Sequence, residues 1–547
     1  LFAQKDVKDV KENSDWKITG LSQIISQMDA KDFDSLYNAG ECRAISDWLY
    51  GINATRLFTM KYGKNKQVFS VGRVQTPTLA MIVQRYHEIA NFVPQTYFEL
   101  KTNYREAIFS YSKGKIDDEK KAKELLEQIK DLPLEIKKVS IKEGKEFSPN
   151  LFDLTSLQIE ANNKLGLSAE NTLGFVQSLY EKKLVTYPRV DTVFLPNDMY
   201  PKIKGMLEGL TEYRELVKPI LEKKIPKPKK VFNDNKVTDH HAIAPTGVIA
   251  NNISGLEKEV YDLIALRFIA AFYPECKVSN TTIDAQIGKH DFKATGKQIL
   301  EPGWRAVLGT EKQREAGDKK ETPDDEKVLP HFDEGESGVH QPLVDKKKTS
   351  APKEYTEATL LRAMETAGRA IEDDELKSLM KENGIGRPST RANIIETLFK
   401  RNYIEKKGKK ILATEIGIHL ISVIHNPTLK SPELTGIWEK KLRQIENNEF
   451  SAPQFIKEME ELVHSLVTEV IYDIRPVEAK PIVCPKCKTG KIIKGKTAYG
   501  CSEWKGGCTF RIPFDLVSAE ADVEKLIGEG KVTANNKLVL LSGLVTS

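Results

Sequence analysis

The chain has 547 residues, of which 40% are hydrophobic and 29% charged, and 83 Lys and Arg nearly balance 78 Asp and Glu for a formal net charge of +5. This length predicts several cores of about 100–200 residues each, and the apolar content excludes a wholly disordered chain. No apolar run approaches the roughly 20 residues that cross a bilayer, and no secretory signal is visible, so we exclude a membrane protein and predict the cytosol.

The first predicted elements are helical. An apolar periodicity predicts a packed helix over Asn38–Met60. Thr76, a good N-cap followed by Pro77 at the first helical position, predicts the start of a second helix. The apolar residues that define the first helix, and that we expect in the core, are Ala44, Ile45, Trp48, Leu49, Ile52, Leu57 and Phe58.

Strand-type patterns follow these helices. Alternation predicts strands from 92 to 139, around a charged helix at Asp117–Lys130. Helices return at Leu154–Leu165 and Ala169–Lys182, and Ser168 is the predicted N-cap of the second.

The second half of the chain echoes the first. Strand-like segments recur from 278 to 308, and dense charge, Pro and Gly over Thr310–Ala351 predict a long exposed loop or disordered insertion. Residues 173–185 (LGFVQSLYEKKLV) are similar to residues 392–404 (ANIIETLFKRNYI), and each copy predicts a helix that runs into a strand. Gly408 between basic residues predicts a hairpin like the wing of a winged helix. Such units bind nucleic acid or mediate other contacts, and we favour nucleic acid.

The segment 184–192 (LVTYPRVDT) carries the most informative chemistry. On extended backbone Tyr187, Arg189 and Asp191 share one face, because side chains repeat every second residue. Pro188 argues against an interior strand. A Tyr hydroxyl beside a guanidinium suits attack on a phosphodiester, since Arg binds phosphate oxygens bidentately and favours the phenolate. Taken alone, such a triplet is more often structural than catalytic.

Two adjacent histidines precede a proline in the segment 238–246 (TDHHAIAPT). Adjacent residues on a strand face opposite sides, so His240 and His241 are not expected to share a metal ion. One histidine aimed at a phosphate is the functional interpretation. A structural histidine with satisfied hydrogen bonds is the alternative, and it is favoured when the pair is taken alone.

Two segments place Gly, Arg and hydroxyl side chains before a predicted helix start, where free N–H groups favour anions. These segments are 70–78 (SVGRVQTPT) and 384–391 (GIGRPSTR). Simple capping explains either one alone. Together with the Tyr/Arg segment they favour a track of DNA phosphates. The residues concerned are Gly72, Arg73, Gln75, Arg387, Ser389, Thr390 and Arg391.

Four cysteines crowd the C-terminal region in the spacing typical of a zinc ribbon, because each pair of thiolates can supply half of one tetrahedral site. Disulfides and unlinked buried thiols are the weaker alternatives. Seven Lys and Arg against a single Glu lie between the first cysteine and Arg511, and nearby aromatics suit either base stacking or a small core. The cysteines are Cys484, Cys487, Cys501 and Cys508.

Taken together and in this order, SVGRVQTPTL, VTYPRVDT, DHHAIAPT, YTEATLLRAME and GIGRPST resemble the type IA DNA topoisomerases, closest to the topoisomerase III branch. The resemblance implies a multidomain α+β protein with a toroidal core, winged-helix-like units, a β arch and a C-terminal zinc ribbon. The implied domains are an N-terminal remnant (1–30), a helical domain in two parts (31–91 and 351–478), a β arch in two parts (92–146 and 276–350, the second with the charged insertion), a tyrosine-bearing domain (147–275) and a zinc-ribbon-like domain (479–547).

The resemblance also implies roles for particular residues. Tyr187 is similar to the nucleophile that takes the 5′ phosphate of a cleaved single strand, Arg189 to its phosphate clamp, and His240 to the histidine that contacts the scissile phosphate. The energy of the broken bond is kept in the phosphotyrosine, so no ATP is implied. Single-stranded DNA is the implied partner, a helicase is a further candidate partner, and a nucleoid-associated monomer is expected. The implied DNA-binding residues are Arg73, Gln75, Asp191, Thr192, Arg387, Ser389 and Thr390.

Two departures from the family pattern qualify these expectations. Val190 stands where the family usually has a hydroxyl residue, which weakens any hydrogen bonding there. The acidic, Mg²⁺-binding Toprim domain that opens the family's chains is not found upstream of Asn38, and the acidic pairs at 324–325 and 373–374 lie in the wrong places to replace it. We therefore expect Mg²⁺ to belong to that domain, and this chain alone not to complete relaxation.

Two alternatives remain open. The chain could be a non-catalytic scaffold that binds single-stranded DNA while a separate subunit acts. A tyrosine recombinase also forms phosphotyrosine, but its tyrosine lies late in the chain, whereas Tyr187 is central. The DNA end that carries the protein separates a recombinase from the 5′ linkage expected here.

Overall fold

The computed structural model describes residues 33–63, 67–237, 240–309, 326–370, 384–472, 482–495, 497–517, 520–534 and 537–545. The chain divides into two compact units, with the boundary between Ile471 and Tyr472. The remnant predicted at 1–30, the first part of the charged insertion and both acidic pairs lie outside the described residues. None of the helices in the described ranges combines the length and hydropathy of a membrane span.

The first unit begins with two helices, α1 (Asp34–Tyr62) and α2 (Gln75–Ala90). Both predicted helices are confirmed, but α2 starts one residue before Thr76, whose hydroxyl accepts a hydrogen bond from the Gly72 N–H at 3.1 Å. The predicted core face of α1 is partly wrong, because Ile45, Trp48 and Ile52 are exposed, Trp48 by 64%. The buried stripe instead recurs every three to four positions, at Ala39, Cys42, Ser46, Tyr50, Ala54, Phe58 and Tyr62.

The next stretch forms one half of a sheet and then a group of helices with a core of their own. The sheet elements are β1 (Thr96–Tyr104), β2 (Ala107–Tyr111), α3 (Glu119–Ile129) and β3 (Leu134–Glu146). The helices that follow are α4 (Leu154–Leu165), α5 (Ala169–Glu181), α6 (Ile203–Glu208), α7 (Arg214–Leu221) and α8 (Gly255–Ala270). Helix α4 begins at a capping box formed by Asp153 and Ser156, and the Ser168 hydroxyl caps α5 as predicted. We call residues 147–275, which contain Tyr187, the tyrosine-bearing domain.

The chain then returns to the sheet. It adds β4 (Cys276–Ile287), β5 (His290–Glu301), the short helix α9 (Arg305–Leu308), β6 (Ser337–Gly338) and β7 (Gln341–Lys348). The resulting seven-stranded antiparallel sheet has the order β6-β3-β4-β5-β2-β1-β7. The loop predicted over Thr310–Ala351 is therefore wrong at its end, because β7 pairs along the whole of β1 and its Lys347 forms an ion pair with Glu99 at 2.6 Å.

The chain finally returns to the region of α1 and α2. The added elements are α10 (Glu357–Thr366), α11 (Pro388–Lys400), β8 (Ile404–Lys407), β9 (Lys410–Ala413), α12 (Glu415–Val423), α13 (Glu433–Glu446) and α14 (Ala452–Tyr472). They share one apolar core with α1 and α2, and α1 packs directly on α13. We call this set of elements the helical domain. The hairpin predicted around Gly408 is confirmed as β8–β9, with Gly408 at φ +63°.

The second unit is small and has its own core. A three-stranded antiparallel sheet forms from β10 (Ile492–Lys494), β11 (Ala498–Cys501) and β12 (Arg511–Pro513). The helix α15 (Glu520–Glu529), the hairpin β13 (Lys531–Ala534) and β14 (Lys537–Leu540), and α16 (Leu541–Val545) follow it.

Candidate active site and metal centre

The Tyr187 segment lies against the histidine segment, although 45 residues lie between them in the chain. Val185 pairs with Pro245 in an antiparallel bridge, and the Thr186 N–H donates to the Ala244 carbonyl at 2.9 Å. The Thr186 hydroxyl also donates to the Ala242 carbonyl at 3.0 Å. This pairing fixes the two segments relative to each other, so the side chains that follow Val185 meet those that precede Pro245.

The pairing brings Tyr187 next to His240. Their ring centroids are 4.6 Å apart, and the edge of Tyr180 from α5 packs on Tyr187 at 5.5 Å. Tyr187 is half-buried and His240 is exposed, so a ligand could reach both side chains. Arg189 is also exposed two residues further along the chain. The structure thus places a phenol, an imidazole and a guanidinium in one accessible region.

The rest of the Tyr187 segment serves the local fold. Val190 is buried in the core of the tyrosine-bearing domain, and its carbonyl accepts from the Leu154 N–H at 3.2 Å, at the start of α4. The Thr192 hydroxyl donates to the Lys236 carbonyl at 2.8 Å and is buried, whereas Asp191 is exposed. Thr192 is predicted to bind DNA, and in the structure its hydroxyl holds the backbone at Lys236.

The two histidines separate as expected. The His241 ring binds the Ala242 carbonyl through Nδ1 at 2.9 Å, and burial lowers the pKa of His241. His240 instead contacts Tyr187. His241 is thus the structural histidine, and His240 the one that remains accessible.

Arg73, a predicted phosphate ligand, is bound to carboxylates of the protein. It is only 8% exposed, and its guanidinium donates to Asp47 at 2.6 Å and to Glu439 at 2.9 Å, close to the Trp438 ring. Arg43 also forms hydrogen bonds to Glu439. A role for Arg73 in DNA binding stays a prediction, while its role in joining α1, α2 and α13 follows from these contacts.

The Glu439 carboxylate makes the helical domain sensitive to acid. Burial would raise the pKa of Glu439, but the hydrogen bonds and charges of Arg43 and Arg73 outweigh it and lower the pKa from 4.5 to about 2. A carboxylate whose pKa is lowered in the folded state stabilises that state above pH 4.5, where it is ionised in both states. This stabilisation is lost as the pH falls towards 2 and the carboxylate is protonated. We expect Glu439→Gln to reduce the free energy of unfolding at pH 7 by about 3 kcal/mol.

Chemical denaturation followed by tryptophan fluorescence between pH 7 and pH 3 checks this expectation. The difference between the wild type and Glu439→Gln should shrink as the pH falls below 4.5. Glu446→Gln, at an exposed position on the same helix, should change the unfolding free energy by less than about 0.5 kcal/mol. A difference that stays constant down to pH 3 would contradict the assignment.

The two predicted anion-binding loops meet in the structure. Gly386 has φ +72°, and a Cβ placed on it would lie 3.1 Å from Val74 Cγ1, between Arg73 and Gln75. A Cβ on Gly384, at φ +60°, would lie 2.4 Å from the Met364 carbonyl oxygen. Glycine is thus required at both positions for this close approach. The four predicted phosphate ligands other than Arg73 in these loops are Gln75, Arg387, Ser389 and Thr390.

Of these four, Arg387 and Thr390 are exposed at the start of α11, Ser389 is half-buried, and Gln75 exchanges hydrogen bonds with Ser70. The Thr390 hydroxyl donates to the Arg387 carbonyl at 3.0 Å, so within the described residues no side chain caps the free N–H groups at the start of α11. Arg387 itself is the N-cap residue, so its guanidinium can serve an anion near the free N–H groups of α11.

Arg391 joins this loop to the tyrosine-bearing domain, a role that its motif did not reveal. It is 2% exposed, and its guanidinium donates to Thr155 Oγ1 at 2.8 Å and to the Ile385 carbonyl at 3.3 Å. Asp153, the N-cap of α4, is one of the charges that face it. Because the adjacent Leu154 N–H holds the Val190 carbonyl, a short chain of contacts links Arg391 to the Tyr187 segment. A charged residue inside an apolar-periodic helix is the sequence signal that could have identified it.

Glu357 makes a second link across the same interface. It is buried, and its carboxylate accepts from the Ala169 N–H at the start of α5 and from Lys406 Nζ on β8, both at 2.8 Å. The carboxylate at a helix N-terminus is favoured by the helix dipole. Arg391 and Glu357 therefore hold the helical domain on the two helices that support Tyr187.

The four C-terminal cysteines form the candidate metal centre. Their sulfur atoms all lie within 4.8 Å of one another, with Cys484 Sγ 3.8 Å from Cys508 Sγ and Cys487 Sγ 3.5 Å from Cys501 Sγ. Four sulfurs at about 2.3 Å from a tetrahedral ion are about 3.8 Å apart, so the site fits such an ion. The predicted cysteine cluster is confirmed, and it could hold a metal ion.

Backbone groups support the cluster. The Gly490 N–H donates to Cys487 Sγ at 3.3 Å, and the Glu503 N–H donates to Cys501 Sγ at 3.4 Å. A Cβ on Gly490 would lie 2.3 Å from Cys501 Sγ, so only glycine fits there. Within the described ranges this is the one group of three or more His, Cys, Asp or Glu placed to share an ion. Mg²⁺ prefers oxygen ligands, so four thiolates do not suit it.

Comparisons with known proteins agree with the resemblance seen in the sequence motifs. A family model described as DNA topoisomerase matches residues 31–457. DNA topoisomerase 3 of Bacillus licheniformis is 38% identical over 480 residues, which cover 85% of this chain and 64% of that protein. DNA topoisomerase 3 of Bacillus subtilis strain 168 is 36% identical over 480 residues, which cover 85% of this chain and 65% of that protein. The chain thus spans just under two thirds of the length of these relatives.

A solved structure shares the fold. Full-length topoisomerase I from Thermotoga maritima matches with a TM-score of 0.60 at 24% sequence identity, over 80% of this chain and 69% of that one. The α+β architecture described above is therefore one that a solved structure also shows.

Proposed function

This chain belongs to the DNA topoisomerase family, in its type IA, topoisomerase III-like branch, and from that membership we propose that it cleaves and rejoins single-stranded DNA with strand passage. The observation that carries the proposal is the contact between the Tyr187 and His240 rings at 4.6 Å, beside the exposed Arg189. Two motifs that the sequence separates thus supply one accessible site for a phosphodiester.

In the proposed reaction the Tyr187 oxygen loses its proton and attacks the scissile phosphorus. A bond forms between Tyr187 and the 5′ phosphate, the bond from phosphorus to the 3′ oxygen breaks, and that oxygen takes up a proton. Arg189 binds the non-bridging oxygens bidentately and favours the phenolate, and His240 contacts the same phosphate. The reverse attack by the 3′ hydroxyl rejoins the strand after passage. One ester replaces another, so no ATP is required.

The loops at Arg73–Gln75 and Arg387–Thr390 are proposed to hold the phosphates that flank this site. Their support is the close approach of Gly386 to Val74, which brings the residues at the starts of α2 and α11 near each other. Zinc is the proposed ion of the cysteine cluster, because four thiolates select it over harder cations. A helicase partner, a monomeric state and a place on the bacterial nucleoid remain predictions of the family resemblance.

End-labelled DNA tests the proposal. The chain is incubated with a single-stranded oligonucleotide labelled at one end or the other, and the reaction is stopped with denaturant. We expect the label of the fragment that contains the 3′ end to shift with the protein, since the tyrosine holds a 5′ phosphate. Attachment of the protein to the fragment that contains the 5′ end would indicate the polarity of a recombinase. The absence of any adduct would favour the non-catalytic scaffold.

Two arginines four residues apart provide a separate prediction. Removing Arg391 breaks its two buried hydrogen bonds and takes away the charge that faces Glu365 and Asp153. We therefore expect Arg391→Ala to lower the free energy of unfolding by about 2–4 kcal/mol. Arg387 is exposed, so Arg387→Ala should change stability by less than about 0.5 kcal/mol. The same variant should weaken binding of single-stranded DNA and reduce the slope of log K against log salt by about 0.7.

Thermal melting and fluorescence anisotropy at several salt concentrations measure the two effects. Each variant is the control for the other, because both remove one guanidinium from the same helix. A large stability loss in Arg387→Ala, or an unchanged salt slope, would contradict the assigned roles.

A further inference from the structure

A large cleft lies where the tyrosine-bearing domain meets the sheet, and none of the predicted site residues lines it. Its volume is about 1240 Å³, which is larger than the roughly 300–1,000 Å³ of most small-molecule pockets. Its walls come from segments 147–150, 219–230, 271–275 and 302–306. Three of these segments directly follow β3, precede β4 or follow β5, so the cleft marks the connections between the two domains.

One wall of the cleft is strongly basic. The segment 223–230 (KKIPKPKK) contributes five lysines, and the one acidic lining residue, Glu275, forms an ion pair with Lys145 at 3.4 Å. Among the described residues, Lys223, Lys224 and Lys229 have no ion-pair partner and are exposed. Most of the positive charge beside the cleft is thus not neutralised by the protein itself.

The other two lysines hold this wall in place. Lys227 Nζ lies over the Tyr200 ring at 5.3 Å, and Lys230 Nζ donates to the Ser148 carbonyl. Lys230 is half-buried, and this burial lowers its pKa. Pro226 and Pro228 fix φ at two positions of the segment, and the Pro228 carbonyl accepts from the Val231 and Phe232 N–H groups in a turn. The basic wall is therefore preorganised.

Apart from the lysines, the lining of the cleft is mainly apolar. Ile220 and Phe272 are buried beneath the cleft, and five prolines line it. Phe147 stands at the cleft with 63% of its surface exposed, although it carries no polar group that would explain this exposure. An occupant that covers these walls must carry bulky apolar groups as well as negative charge.

We propose that this cleft binds an extended acidic peptide with bulky apolar side chains, supplied by a partner protein. Carboxylates would pair with the three free lysines, and apolar side chains would pack on Phe147 and the prolines. Single-stranded DNA fits less well, because it needs exposed aromatic faces for base stacking. Phe147 is the one exposed aromatic of the lining, whereas stacking of successive bases needs several such faces. Phe272 is 2% exposed, and the Tyr273 hydroxyl donates to the Leu216 carbonyl at 2.7 Å.

Fluorescence anisotropy with the full chain tests the proposal. The probe is a fluorescein-labelled twelve-residue peptide of three Glu-Leu-Asp-Phe repeats, and a second probe replaces Leu and Phe by Ser. We expect the first probe to bind at least about tenfold more tightly than the second, since burial of several apolar side chains supports it. Equal binding of both probes would overturn the proposal, because only charge would then be recognised.

Charge reversal locates the site. The triple variant Lys223→Glu, Lys224→Glu and Lys229→Glu should weaken binding of the first probe at least about tenfold, since three charge contacts are lost. The matched control reverses the exposed residues Lys120, Lys121 and Lys142, which keeps the net charge equal, and should bind as the wild type does. Phe147→Ser should also weaken binding, without any change of charge.

A labelled twelve-nucleotide oligo(dT) tests whether single-stranded DNA, and not a peptide, occupies the cleft. If the wild type does not bind the first probe while the triple variant loses oligo(dT) binding, the cleft is a DNA site and the proposal is wrong. Equal peptide binding by the triple variant and the control would also overturn it. Covalent adduct formation should be unchanged in the triple variant, so failure here is distinct from failure of the proposed reaction.

Discussion

Replacing Tyr187 with Phe should abolish covalent attachment of DNA to the protein. The phenol oxygen is the proposed nucleophile, and removal of a nucleophile lowers turnover by roughly a thousandfold or more. The ring itself remains, so its packing on Tyr180 and His240 should be kept and the melting temperature should change little. A denaturing gel of labelled single-stranded DNA measures the adduct, and thermal melting confirms the fold.

Tyr180→Phe is the matched control for this experiment. The ring centroids of Tyr180 and Tyr187 are 5.5 Å apart, and Tyr180 is 39% exposed. Tyr180 is therefore a neighbouring phenol that could act in place of Tyr187. We expect this variant to form adducts at the wild-type level. Adducts recovered from Tyr187→Phe at that level, or lost in Tyr180→Phe alone, would assign the nucleophile elsewhere.

Replacing Cys484 with Ser should release zinc and unfold the second compact unit. Structural zinc sites in small peptides contribute about 10–16 kcal/mol, far more than a small core can supply without the metal. Cys484 is fully buried and belongs to the same apolar core as Tyr499 and Cys501. We expect bound zinc to fall from one ion per chain to near zero, and protease cleavage to appear between residues 482 and 545 while the first unit stays resistant.

Cys42→Ser is the control for the zinc experiment, because Cys42 is a buried thiol on α1 in the first unit. It should keep one zinc ion and an intact second unit. A strong chelator added to the wild type should reproduce the cleavage pattern of Cys484→Ser. Zinc retained in Cys484→Ser, or a wild type that binds none, would refute the assignment.

Local sequence signals predicted much of the secondary structure. Helix α4 begins and ends where its apolar periodicity indicated, because Asp153 and Ser156 form a capping box and Gly166 closes it in the left-handed conformation. The hairpin at Gly408 followed from turn chemistry in the same way. The resemblance to a family placed Tyr187 and His240 in one site, which no local pattern could have done.

Contacts between distant segments account for what the sequence did not predict. Arg73 was expected to meet phosphate, but its partners come from 26 residues before it and 366 residues after it. The lysine-rich strand β7 looked like solvent-exposed loop, yet it completes the sheet because β1 offers a free edge and Glu99 pairs with Lys347. In both cases the deciding charge lies on another element.

The division of the helical domain sets the order in which the chain can fold during synthesis. The tyrosine-bearing domain is one uninterrupted stretch, whereas α1 shares its core with helices that begin roughly 300 residues after it ends. At a synthesis rate of about 5–20 residues per second, the apolar stripe of α1 waits for roughly 15–60 seconds before these partners are synthesised. A nascent chain therefore exposes Tyr50 and Phe58 for that interval, which is a binding opportunity for chaperones.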